Sequence, residues 1–119
     1  MAKLVYNKKI ILKEMKYVTS IFEISYGLMF ASKNKIEKGM CLVMPITKNL
    51  KFQSAVTMLF CFHPMNILFL DKNFKVVDNV ILKPFRISYI PKKSAKYVIE
   101  STKNKFHKIK IGDIVKIQL

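Results

Sequence analysis

The sequence predicts a mainly β, α+β fold: a small antiparallel β-barrel or sandwich of five to eight strands with one or two short helices. Three observations lead there. Apolar runs are of strand length and stop at Asn, Asp, Gly or Pro. The uncharged block AVTMLFCFHPMNILFL, Ala55 to Leu70, divides at His63-Pro64, because the proline ring disfavours a helical conformation at His63. The tail IKIGDIVKIQL, Ile109 to Leu119, alternates apolar and polar side chains about a Gly112-Asp113 turn. At 119 residues the chain is expected to form a single domain over 1–119.

Taken in order, Leu4 to Leu12 reads as a strand broken by a hairpin tip at Asn7-Lys8-Lys9, and Lys16 to Thr19 as a second strand. Ser20-Ile21-Phe22-Glu23 has the spacing of a capping box, in which hydroxyl and carboxylate satisfy orphan backbone donors. Ile21, Ile24 and Leu28 then form a helical stripe, with Gly27 near the stop. SKNKIEKG, Ser32 to Gly39, reads as a polar loop, and Met40 to Ile46 as a buried strand ended by Pro45. Within the uncharged block, strand periodicity sorts Val56, Met58, Phe60 and Phe62 to a core face. Ala55, Thr57, Leu59, Cys61 and His63 fall on the other. Asn66 to Leu70 and Phe74 to Leu82 flank an Asp71-Lys72-Asn73 turn, whose Asp and Asn bond their own backbone. Lys96 to Ile99 is a further strand, and STKNKF from Ser101 a single helical turn.

The uncharged block does not read as a membrane span. About 20 predominantly apolar residues are needed, and Thr57, His63, Pro64 and Asn66 interrupt the run. Lysines follow Met1 too closely for the apolar stretch of a secretory signal. Cys41 and Cys61, each inside an apolar run, read as small hydrophobes in a reducing cytoplasmic setting, not as a disulfide framework.

Charge is lopsided: 22 basic against 7 acidic residues, net +15. Such a surface attracts polyanions with an affinity that falls steeply with salt. Arg86 alone is arginine, however, and the lysines run from Lys3 to Lys116, whereas bidentate reading of phosphates and bases favours the guanidinium fork. A solvated basic surface is therefore the simpler expectation, and the partner is left unspecified. The alternative is a nucleic acid or other polyanion bound at Arg86, Tyr89, Lys92, Lys93, Lys96 and Tyr97, where cations and aromatics interleave around Pro91.

For chemistry, the groups worth placing are Thr57, Cys61, His63, Asp78 and Glu100, a candidate pocket. Cys61 and His63 share a strand face, but i and i+2 neighbours lie about 6–7 Å apart, beyond hydrogen-bond reach. A metal needs three or four converging ligands, which C-x-H does not supply. Three glycines cannot make a phosphate-cradling loop. Asp78 and Glu100 are the carboxylates left inside predicted strands, and pairing with lysine is their simplest role. No catalytic residue, metal or cofactor is assigned; the expectation is a binding or scaffolding module, with an enzyme around Cys61, His63 and Asp78 or Glu100 as the remaining alternative.

The segments YGLMFASK (26–33), KGMCLVMP (38–45), HPMNILFLD (63–71), SAKYVIES (94–101) and IKIGD (109–113) resemble, in order and spacing, the domain of unknown function 192 family, in its archaeal type. The resemblance runs from about Thr19 to Val115. It implies one mainly β domain and no established activity. Many members carry an aromatic or His before the Met of the central block, a polar Lys-Asn-Thr after it, and an Asp two places past the Pro. Here Thr57 precedes Met58, Leu59, Phe60 and Cys61 follow it, and Asn66 takes the Asp position. An activity resting on that polar cluster would be lost or altered. Phe74 stands where a turn Gly is usual, so Asn73 is expected to take the left-handed conformation.

Overall fold

Asn7 and Lys8 both adopt positive φ, 50° and 65°, as a tight hairpin turn with the twist of its strands requires. They join β1 (Ala2–Tyr6) to β2 (Lys9–Val18) as an antiparallel pair. The computed structural model describes residues 1–20, 31–44, 58, 61–86 and 88–119. The capping-box helix from Ser20 thus falls, beyond its first residue, outside the described residues. β2 is long enough to serve two neighbours: its first part pairs with β1, and Lys16–Val18 pair in parallel with β3 (Met40–Val43). The strand expected at Lys16 to Thr19 is therefore the far end of β2.

Ser32 to Gly39 is not a loop but a short helix, α1 (Lys33–Lys38), with Ile36 buried beneath it. Ser32 caps it, its hydroxyl accepting from Lys35 N–H at 3.3 Å. Gly39 stops it, its N–H donating to the Ile36 carbonyl at 3.0 Å. Only glycine suits the exit: φ is +83°, and a Cβ there would lie 2.7 Å from Leu12 Cδ1 and 3.2 Å from the Glu100 carbonyl oxygen.

The centre of the sheet is β4 (Met65–Leu70), every residue of which is buried. It pairs antiparallel with β5 (Val76–Leu82) and β6 (Tyr97–Thr102). Alternation along β4 feeds two cores. Met65, Ile67 and Phe69 pack with Met40, Leu42, Val98, Met58 and Cys61. Leu68 and Leu70 pack on the opposite face with Leu4, Met15, Ile99 and Phe106. A strand covered on both faces reads as a continuous apolar run, which explains NILFL.

The β4–β5 turn is built around Asp71, whose Oδ1 accepts from Asn73 N–H at 2.8 Å and Lys75 N–H at 3.0 Å. The left-handed residue is Phe74, φ 63°, not Asn73. Its ring stacks on Tyr97, centroids 4.8 Å apart and planes at 21°, a contact that holds the aromatic side chain where glycine is usual.

Sheet order is β5-β4-β6-β3-β2-β1-β7, with β7 at Lys116–Gln118. The ends curl toward each other: Gly112 N–H donates to the Val76 carbonyl, Val76 N–H to that of Asp113 and Val115 N–H to that of Phe74. Lys75 and Ile114 form an antiparallel bridge. The fold is mainly β, a curled seven-stranded half-barrel with a short helix among the described residues.

The strand expected through Met58 and Phe62 does not keep its register. Cys61 N–H donates to the Met58 carbonyl at 2.9 Å, an i to i+3 turn. Met58 and Cys61 are buried together, and Phe62 is 55% exposed instead of in the core. Val56 and Phe60 lie outside the described residues. After β6, Lys105, His107 and Ile109 N–H each donate three residues back; these turns bury Phe106, in place of the helical turn expected from Ser101. Among the described residues no helix is long and apolar enough to cross a membrane.

Candidate functional site

Asp78 lies on β5 opposite Phe69, within the sheet register and 1% exposed. A carboxylate so buried needs donors, and it has them. Oδ2 accepts from Tyr89 OH at 2.5 Å and from Lys92 N–H at 3.1 Å, and Oδ1 from Asn79 N–H at 2.9 Å. Burial, reinforced by the bond to Asp78, pushes the Tyr89 phenol up to about 12. Asp78 therefore pins the segment carrying Tyr89 and Lys92 to the sheet.

Glu100 sits on β6 between Ile67 of β4 and Met40 of β3. Burial pushes its carboxyl up to about 7. Cys61 lies close enough to feel that charge: burial first, then Glu100, pushes its thiol up to about 11. Burial raises Cys41 to about 12. Both cysteines are free thiols, and neither is a thiolate at neutral pH, the form a nucleophile requires.

The candidate pocket thus divides. Cys61 and Glu100 share one environment. Asp78 is two strands away on the same face and two residues out of register, roughly 12 Å from Glu100 by strand spacing and rise. His63 is half-buried at a bend before Pro64, and Thr57 lies outside the described residues. Among the described residues no group of three or more His, Cys, Asp or Glu converges to hold a metal.

The interleaved patch divides too. Tyr97 is stacked on Phe74. Tyr89 is bonded to Asp78 and tilted against Phe69, centroids 5.9 Å apart. Lys96 Nζ donates to the Met44 carbonyl at 3.0 Å. Arg86, Lys92 and Lys93 face solvent, with the Arg86 guanidinium 5.3 Å from the centre of the Tyr89 ring.

The family model for the domain of unknown function 192, described as an uncharacterized ACR, matches residues 6–117. This chain belongs to that family. A UPF0127 protein of Pyrococcus horikoshii is 33% identical over 105 residues, 87% of this chain and 86% of that one. A UPF0127 protein of Pyrococcus abyssi is 37% identical over 79 residues, 65% of this chain and 67% of that one. The crystal structure of a protein of unknown function from Novosphingobium aromaticivorans matches with a TM-score of 0.79 at 18% identity, covering 97% of this chain and 82% of that one. At that identity the fold is what is shared. These relatives are themselves uncharacterised, so the family brings a fold and no activity.

Asn66, which occupies the Asp position of the domain of unknown function 192 pattern, has a structural role. It is buried on β4, and its Nδ2 donates to Asn79 Oδ1 at 2.7 Å and to the Val80 carbonyl at 3.0 Å. Its Oδ1 accepts from Phe106 N–H at 2.8 Å. Asn79 Nδ2 in turn donates to the Phe106 and Ile109 carbonyls at 2.9 and 2.7 Å. This network, absent from the sequence reading, anchors the turns after β6 to the sheet. Its signal was available: two asparagines inside apolar strands need mutual partners.

Among the described residues, open concavities adjoin the cores. One of about 510 Å³ separates β2 from α1, with Ile10 and Leu12 as its apolar floor and Lys13, Glu14, Lys38 and Lys105 around it. Another, about 500 Å³, borders Asn79, Ile81, His107 and Ile111.

Proposed function

We propose that this domain of unknown function 192 protein is a small non-catalytic binding module, acting as one domain over residues 1–119 and in the cytoplasm, where free thiols such as Cys41 and Cys61 stay reduced. The supporting observation is that its reactive groups are committed to the fold. Both oxygens of Asp78 accept bonds that hold the chain together, Glu100 and Cys61 are buried, and burial keeps the thiols protonated. What the protein offers to a partner is its basic exterior and its open concavities. Thiol alkylation tests this directly. Iodoacetamide under native conditions at neutral pH is expected to label Cys41 and Cys61 roughly tenfold or more slowly than free cysteine, as their raised pKa and burial require. Labelling of Cys61 faster than free cysteine would reveal an activated nucleophile and overturn the reading.

A second reading, a nucleic-acid-associated protein, is favoured by the net charge of +15 and the exposed Arg86, Lys92 and Lys93. Titration with labelled single-stranded and duplex oligonucleotides at low and physiological salt separates the two. Binding that disappears by physiological salt assigns the charge to solvation.

A further inference from the structure

The aromatics of the basic patch, Tyr89 and Tyr97, are used by the fold; two other aromatics are not hidden. Phe62 and Phe85 are 55% and 48% exposed, and they meet edge to face with centroids 5.1 Å apart. An exposed aromatic pair is unusual, since each ring has a large apolar area to bury. The backbone beneath it is unusual as well. Lys83-Pro84-Phe85-Arg86 is closed by Arg86 N–H donating to the Lys83 carbonyl at 3.4 Å, with Phe85 at φ 64°. Pro in second place and positive φ in third is the pattern of a type II turn, whose third position normally belongs to glycine. A phenylalanine held there is strained, and such strain persists only where the surroundings enforce it. The enforcement is visible: Phe85 N–H donates to the Met58 carbonyl at 3.1 Å, and Met58 N–H to that of Arg86 at 2.7 Å, with Met58 fully buried. The fold therefore fixes an aromatic outward at a place that a glycine would occupy without cost.

Cations lie beside Phe85. Lys83 and Arg86 flank Phe85 in the turn and are exposed. Arg86 lies over Tyr89, whose hydroxyl reaches Asp78, and Asp78 also holds the backbone of exposed Lys92. The rings of Phe62 and Phe85 thus touch, Arg86 follows Phe85 in the chain and reaches the Tyr89 ring, and Asp78 links the Tyr89 hydroxyl to the backbone of Lys92. Exposed aromatics beside exposed cations, Arg86 among them with its Nε donating to the Ser88 carbonyl at 3.1 Å, make a surface to which sequence-tolerant binding of unpaired bases and their phosphates is suited. Duplex DNA keeps its bases stacked internally and offers the rings nothing.

We propose that Phe62 and Phe85 form a base-stacking platform for single-stranded nucleic acid, with Lys83, Arg86 and Lys92 neutralising the backbone. This rests on the nucleic-acid reading and names its strand class and residues: absence of any oligonucleotide binding at physiological salt would sink that reading, whereas wild-type affinity in the Phe variants would sink the platform alone. The experiment is fluorescence anisotropy with a labelled oligothymidylate of about 12 nucleotides, chosen to cover an ordinary single-strand site, and the matching duplex, across a range of salt. Wild type is expected to bind the single strand at physiological salt and to prefer it over duplex. Phe85→Gly and Phe62→Ala are each expected to weaken binding roughly tenfold. Phe85→Gly, which relieves the positive φ, is expected to keep or raise the melting temperature, so its loss of binding is not a loss of folding. Ile114→Ala, an exposed apolar change outside both concavities, is expected to bind as wild type. Neutralising Lys83 or Lys92 with Gln should reduce the slope of log affinity against log salt by about 0.7 each. Equal binding of duplex, unchanged affinity in both Phe variants, or binding confined to vesicles of anionic phosphatidylserine would each overturn the proposal.

Discussion

Glu100 has its carboxyl enclosed by the strands on either side, and burial lifts it from 4.5 to about 7. Two pKa values for one group mean that stability depends on pH. Between 4.5 and 7 the unfolded chain has released its proton while the folded chain retains it. Stability therefore falls as pH rises through that window and levels off above it, where the folded protein holds a buried carboxylate. Glu100→Gln removes the ionisation and keeps the shape. The variant is expected to lack this fall and, above neutral pH, to be more stable than wild type by on the order of 2 kcal/mol. Urea unfolding at a series of pH values checks it. Parallel stability profiles for the two proteins would show that Glu100 is ionised without penalty. The same residue raises Cys61, so its ionisation further suppresses the thiolate and works against nucleophilic chemistry at this spot.

At the scale of elements, the decisive bonds are those that fasten loops to the sheet. Asn66 and Asn79 between them hold Phe106 from both sides, through its N–H and its carbonyl. Asn66→Ala would remove three hydrogen bonds in a buried setting and leave the Phe106 N–H without its acceptor. A loss of about 2–4 kcal/mol is expected from unsatisfied buried groups, with exchange protection lost first at the Phe106 amide. If the Phe106 amide stays as protected as those of β4, the network is not what anchors these turns. Elements set by local rules were legible: the Asn7 hairpin, the Asp71 turn and the apolar runs of β3, β4 and β5. Elements set by tertiary contact were not. Ser32 and Gly39 cap a helix whose only buried residue is Ile36, too few apolar positions for periodicity to reveal. Phe74 and Phe85 adopt positive φ because stacking on Tyr97 and bonding to Met58 hold them there, and neither partner is near in sequence. The candidate site suffered similarly. Cys61, Asp78 and Glu100 were singled out as polar groups in apolar strands, but which of them meet depends on strand order, and Phe62 was assigned inward by an alternation that the turn at Met58 interrupts.

Over the whole molecule the question is how 22 cations against 7 anions fold into a body only 33 × 33 × 24 Å across. The sheet curls so that residues 74–76 meet 112–115, and Tyr6 OH donates to Asp113 Oδ2 at 2.6 Å across that closure. The bond from Tyr6 holds the Asp113 carboxyl below its usual range, so its contribution is present at neutral pH and is lost as pH falls through that lowered value. One such contact does not offset a net charge of +15 confined to this volume. Like charges there repel over distances comparable with the Debye length at low salt, about 20 Å at 20 mM, which shortens to about 4 Å at 500 mM. Unfolding spreads the lysines apart, so repulsion acts against the compact state. Raising sodium chloride across that range is expected to raise the melting temperature by about 3–6 °C, the shift that roughly 1 kcal/mol produces in a domain of this size. Chloride is the right salt for the test, because sulfate would strengthen apolar burial as well. A melting temperature that is flat or falls with sodium chloride would mean that the lysines are locally compensated, and then the exterior would hold less attraction for a polyanion than its formal charge suggests.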